Sequence, residues 1–193
     1  MSLIFKVNNG ISMILHKIKR GIIALGVTIL FQFISQTTYS QNNWTVTGNK
    51  DRYVLETDSS RQYEGQPVVF LRSVDTLEKG YGGTRKILSA TSYIGKRIRM
   101  SGYLRSGDVK QGVGFWLRID GGEPAAPMAF DNMNDRRVSG TTDWKKYEIV
   151  LDVPDGATNF FYGAVLRGPG RIWYSGIKFE VVGNEVPVTS TKL

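Results

Sequence analysis

The sequence predicts an all-β fold, a two-sheet jelly-roll β-sandwich in a single domain. Three observations carry this. Beyond residue 40 no segment of helical period is longer than two turns. In place of helices there are eight or more short runs rich in Val, Ile, Tyr, Phe and Trp, several of them alternating apolar with polar residues. Gly, Pro, Asn and Asp punctuate these runs, as turns between antiparallel strands require. Many short strands in one chain of this length pack as two sheets.

The runs justify themselves in order. WTVTG (Trp44–Gly48) opens the domain, and RYVLETD (Arg52–Asp58) alternates. PVVFLRSVD (Pro67–Asp75) is strongly β-prone, and TRKILSATS (Thr84–Ser92) comes after an expected glycine turn at Tyr81–Gly83. RIRMSGYLRS (Arg97–Ser106) sets Ile98, Met100, Gly102 and Leu104 on one side and Arg99, Ser101, Tyr103 and Arg105 on the other. GVGFWLRID (Gly112–Asp120) sets Phe115, Leu117 and Ile119 against Trp116, Arg118 and Asp120. A long loop is expected from Gly121 to Asp143. KKYEIVLDVP (Lys145–Pro154) places Tyr147, Ile149, Leu151 and Val153 inward. TNFFYGAVLRG (Thr158–Gly168) is nearly continuous apolar and reads as a central strand covered on both faces. GRIWYSGIKFEVV (Gly170–Val182) closes the domain. The sandwich is thus expected over residues 41–183, with a loose polar tail at 184–193.

The first forty residues read differently. They hold Lys6, Lys17, Lys19 and Arg20 and no acidic residue, then the apolar run Gly21–Ile34, then small polar residues. This is the pattern of a cleavable signal peptide over residues 1–40, with Thr38 and Ser40 before the cut and Gln41 after it. Met13 offers an alternative start. Fourteen apolar residues in helix span about 21 Å, short of the ~30 Å hydrocarbon core that an uncleaved anchor crosses. The expectation is therefore export, to the periplasm or beyond, with the membrane involved only through the export signal.

Composition narrows the chemistry. Four of the 25 basic residues lie in the leader, leaving 21 against 17 acidic ones, a net +4. So small an excess makes no case for nucleic acid. There is no cysteine, and the single histidine, His16, lies in the leader. A Ser–His–Asp triad, a Cys–His pair and an ordinary zinc site are unavailable to the domain. No cofactor or metal is expected. Glu148 and Asp152 share a strand face about 13 Å apart, too far for the ~5–9.5 Å of a glycosidase pair.

The segments GKRIRMSGYLRS, GFWLRIDG, MAFDNMNDRRVSGTTDWKKYEIVLDVP and GRIWYSGIKFEVV resemble galactose-binding-domain-like jelly-roll modules of the carbohydrate-binding-module kind. Such modules occur alone in exported bacterial proteins and attached to AraC-type regulators. The likeness runs from Trp44 to Val182 and is most specific over Ala129–Pro154. It implies the jelly-roll fold, in a wider superfamily that includes many carbohydrate-binding modules. Family members carry aspartates after the last tryptophan, where related modules hold a structural calcium. Here Trp173 is followed by Tyr174, Ser175 and Gly176, which argues against calcium at that point.

Sugars offer apolar ring faces and hydroxyl edges, which aromatic rings and charged or amide side chains meet. The expected ligand-binding set is Tyr103, Arg105, Trp116, Arg118 and Asp120. Asp131, Asn132 and Arg136 of FDNMNDRR form its rim. This arrangement needs the two rows Ser101/Tyr103/Arg105 and Trp116/Arg118/Asp120 side by side on one open, concave face. The competing reading has Trp and Arg stacking as cross-strand pairs with Asp neutralising Arg, in a structural module whose partner is another protein. A Trp116 covered by the long loop favours that reading. A hydrolase would need two carboxylates to converge across one pocket.

Overall fold

The computed structural model describes residues 44–76 and 79–189, except the side chains of residues 57–59. The expected leader, residues 1–40, and the tail end, residues 190–193, lie outside the described residues. Nine strands form the domain: β1 (Thr45–Gly48), β2 (Tyr53–Tyr63), β3 (Gln66–Ser73), β4 (Tyr81–Ser89), β5 (Arg97–Gly121), β6 (Ala126–Asp131), β7 (Val138–Asp152), β8 (Ala157–Arg167) and β9 (Arg171–Val182). All pairings are antiparallel.

The architecture turns on β5. Two runs expected as separate strands are one strand of 25 residues. Its first half pairs with β9 and β7, and its second half with β8 and β6. Register shifts between Leu104 and Val113 break the ladder with β7 at the midpoint, and a bulged ladder bends and twists a strand. The front sheet therefore runs β1-β4-β8-β5-β6 and the back sheet β2-β3-β9-β5-β7. The two sheets face each other, with β5 crossing from one to the other.

Contacts across the interior prove the fold-over. A Cβ added to Gly102, in the first half of β5, would stand 3.0 Å from the Phe115 ring in the second half. Tyr174 of β9 meets Phe115 edge-on, with ring centroids 6.1 Å apart. Phe179 of the back sheet touches Phe160 and Tyr162 of β8. Ile98, Met100, Leu104, Phe115, Leu117, Ile119, Phe160 and Ile172 are buried in this core, with burial of each large side chain contributing about 1.5–3 kcal/mol. Trp44 closes one end, edge-on to Tyr162 and Tyr174.

Two local expectations are corrected. Tyr81–Gly83 is not a turn but strand, paired to β1 and β8. The segment Gly121–Asp143 is not a long loop; β6 folds back on β5 from Gly121↔Ala126 to Leu117↔Asp131, and β7 starts at Val138. Trp144 lies outside the core, stacked on Tyr63 at 4.2 Å.

The tail, expected to be loose, is bonded along its described part. Thr189 exchanges backbone and side-chain hydrogen bonds with Val150 of β7. Arg97 donates from Nη1 to the carbonyls of Asn184 and Val186, while Nε and Nη2 clasp Asp152. That hydrogen-bonded guanidinium holds the Asp152 carboxyl below its ordinary value. The clasp therefore stabilises the fold above the unfolded carboxylate pKa and is lost as pH falls through the folded one.

Candidate functional site

The two halves of β5 decide which residues meet. Gly102 and Phe115 face each other through the core. Their neighbours Tyr103 and Trp116 therefore point outward, from opposite faces of the sandwich. The expected juxtaposition of Tyr103 and Arg105 with Trp116, Arg118 and Asp120 is overturned. Pairs of β5 with itself are impossible once each half has joined a different sheet.

On the back sheet the rows neutralise one another. Tyr103 packs edge-on to Tyr63, and Arg105 lies over the Trp173 ring at 5.3 Å, which in turn stacks on Phe70. Glu148 forms ion pairs with Arg99 and Lys146, and Lys178 pairs with Glu180. This is the cross-strand pairing that the competing reading anticipated for such residues.

The front sheet differs. Its outer face carries a cleft of about 630 Å³ lined by Thr47, Tyr81, Arg85, Trp116, Arg118, Pro127, Phe130, Asn132, Val165 and Arg167. Register places Trp116 opposite Gly163 of β8 and Arg118 opposite Phe161. Glycine at position 163 leaves room for the Thr84 carbonyl, which a Cβ there would meet at 2.0 Å, to reach the Trp116 indole. Its Nε1 donates to the Thr84 carbonyl on β4 at 3.1 Å. That carbonyl is available because the β4–β8 ladder skips from Gly83↔Val165 to Lys86↔Tyr162. Backbone groups freed in such a gap need other partners. Ala164 N–H donates to Thr84 Oγ1 instead, and Trp116 takes the carbonyl.

Thr84 is itself held from inside. Its hydroxyl oxygen is 2.7 Å from the Tyr174 hydroxyl, which donates to it. Burial pushes the Tyr174 phenol well above its ordinary value, so it remains a donor. A chain of contacts thus runs from the core through Thr84 to the cleft floor. Tyr174→Phe is expected to lower stability by about 1 kcal/mol, the usual worth of one buried hydrogen bond. A urea melt checks it, and an unchanged midpoint would contradict the account.

The remaining expected residues divide. Arg118 stacks over Phe161 at 5.0 Å and donates from Nη2 to Asp120 at 2.8 Å. Asp120 is buried beneath it and does not line the cleft. Asn132 does line it. Asp131 and Arg136 do not: they form a lock behind β6. Asp131 accepts from Met133 N–H (2.8 Å), Arg136 Nη2 (2.6 Å) and Thr189 Oγ1 (2.5 Å). Trp116 is half-buried and bonded to Thr84. The segment expected as a covering loop is β6, which adds a wall beside it.

Sequence reasoning missed Arg85, Arg167, Tyr81 and Phe130. Alternation did place Arg85 on the face of Gly83 and Ile87, and Arg167 on that of Phe161, Gly163 and Val165. The strand order that aligns both with Trp116 was not visible. Arg167 is partly buried, and its Nη1 lacks a hydrogen-bond partner. Burial and the charge of nearby Arg137 push its guanidinium below its ordinary value. Arg118 Nε is likewise buried and without a partner. Among the described residues, no group of His, Cys, Asp and Glu is arranged to hold a metal ion.

No protein-family model matches the chain. The uncharacterised HTH-type transcriptional regulator YbfP of Bacillus subtilis (strain 168) is 31% identical over 152 residues, covering 78% of this chain and 51% of the regulator. The chain therefore spans about half the length of the curated relative it matches. Among solved structures, the CBM22-1 xylan-binding domain of Paenibacillus barcinonensis Xyn10C aligns over 74% of this chain and 87% of its own, with a TM-score of 0.51 and 15% identity. The enzymatically active domain of tailspike protein 4 from bacteriophage CBA120 aligns over 73% of this chain and 20% of its own, with a TM-score of 0.53 and 10% identity. The chain has the β-sandwich fold of carbohydrate-binding modules, as expected.

Proposed function

We propose that this protein is a non-catalytic glycan-binding module, exported through its N-terminal leader, whose ligand lies in the Trp116 cleft. The observation that carries the reading is the indole itself. It is pinned at one edge by Thr84 and lines a cleft among Asn132 and guanidinium groups. An aromatic plane fixed before binding meets an apolar sugar face at little cost in ordering. Asn132 and the guanidinium forks supply donors to hydroxyl edges. The fold shared with a xylan-binding domain supports a polysaccharide as the ligand class. The absence of His and Cys after the leader and the burial of Asp120 and Asp131 away from the cleft support binding without chemistry.

Affinity electrophoresis in gels cast with polysaccharides tests the reading. Retardation of the wild type is expected on at least one polymer, with Trp116→Ala losing at least tenfold in affinity, about 1.4 kcal/mol. The thermal melt of the variant should keep a single cooperative transition. Equal retardation of wild type and Trp116→Ala would remove the cleft from the reading.

A further inference from the structure

The charge of the cleft names a narrower ligand class. Three guanidiniums line it: Arg85, Arg118 and Arg167. None of its lining residues is acidic. Asp120 reaches it only through Arg118 and offsets one charge of the three. Among the described residues no carboxylate pairs with Arg85 or Arg167. On the back sheet Arg99 meets Glu148 and Arg171 meets Asp108, while Arg105 lies over the Trp173 ring. On the front face Arg85 and Arg118 lie over the Phe161 ring, and only Arg118 also meets a carboxylate.

Their placement is also regular. Trp116 stands opposite Gly163, Arg118 opposite Phe161, and Arg167 opposite Gly112. Arg118 and Arg167 thus lie at rows six residues apart along β8, roughly 20 Å at ~3.3 Å per residue. The aromatic platform sits between them, and Arg85 lies across β8 from it on β4. Two further N–H groups, Nε of Arg118 and Nη1 of Arg167, are turned from solvent without an acceptor. A guanidinium fork matches a carboxylate bidentately, and such charge-assisted bonds are about twice as strong as neutral ones.

From this geometry we propose that the ligand is an acidic polysaccharide bearing carboxylates, a uronate chain that crosses Trp116 with its carboxylates on Arg167, Arg85 and Arg118. The proposal rests on the glycan-binding reading and specifies the chemistry of that same cleft. Arg137, close enough to Arg167 to depress its pKa, extends the positive field at one end.

The test uses the full chain in affinity gels of polygalacturonate, the same polymer with its carboxyls reduced to alcohols, a sulfated galactan, and neutral xylan. Retardation is expected on polygalacturonate and at least tenfold weaker on its reduced form. It should weaken further as salt rises from 50 to 500 mM, since exposed charges are screened. The double variant Arg85→Gln/Arg167→Gln should lose at least tenfold on polygalacturonate with an unchanged melt. Equal binding of the native and reduced polymers, or binding of xylan alone, overturns the uronate assignment and leaves glycan binding standing. Tighter binding of the sulfated polymer assigns the cleft to sulfate and overturns it as well. Retardation by none of the four overturns both. Should the double variant melt early, the native-against-reduced comparison on wild type still decides.

Discussion

Gly163→Ala is expected to lose on the order of 3 kcal/mol of stability, the upper end of overpacking costs, and to remove ligand retention with it. A single methyl group suffices because of the atoms it meets. The added Cβ would stand 2.0 Å from the Thr84 carbonyl oxygen and 2.7 Å from its carbon. Both are backbone atoms, so no side chain can swing aside. β4 or β8 must move, and Thr84 is held between Tyr174 and Ala164. Movement there breaks the Trp116 hydrogen bond and the core contact together. At about 2–4 °C per kcal/mol for a domain of this size, Tm should fall roughly 6–12 °C. Near-UV circular dichroism should show a changed tryptophan environment. A variant that melts with wild type and is retarded in the gels equally would show that the ladder gap is not what builds the cleft floor.

Asp131→Ala is the second large effect, and it should act on stability more than on binding. The carboxylate is buried and accepts three hydrogen bonds, from Met133 N–H, Arg136 and Thr189. Its loss leaves the buried Met133 amide without its acceptor and takes from Arg136 one of its two carboxylates, the other being Asp135. Breaking a buried pair from one side costs about 3–5 kcal/mol. Arg136 is 30% exposed, so water compensates part of this, and about 2–4 kcal/mol is expected. The lock also ties β6 and the turn after it to the tail at Thr189, 58 residues away. Limited proteolysis of the variant should therefore cut residues 184–193 sooner than in wild type. Asp131→Asn keeps an acceptor for the amide and should fall between the two. Early cleavage without a lower Tm would mean that the carboxylate only anchors the tail.

These two positions also show where sequence reasoning stops. Asp131 was legible as a polar rim residue beside Arg136. Its third partner, Thr189, lies 58 residues away, and no local pattern announces such a bond. Gly163 reads as one apolar residue in a strand covered on both faces. Its role depends on the registers Trp116↔Gly163 and Gly83↔Val165, which bring three strands together.

The amino-acid order by itself determined the class of fold, most of the strand positions and the inward or outward alternation along them. It could do so because side chains alternate with period two along a strand, and that period is written locally. It also marked Trp116 and Arg118 as outward-facing neighbours. Only the tertiary structure decided which outward rows share a face. Between Leu104 and Val113 the chain bends from one sheet into the other, sending Tyr103 and Arg105 to the back and leaving Trp116 and Arg118 in front. Strand order then set Arg85 and Arg167 beside them. Pairing between strands depends on the summed burial of a whole core, a quantity that no short stretch of residues contains.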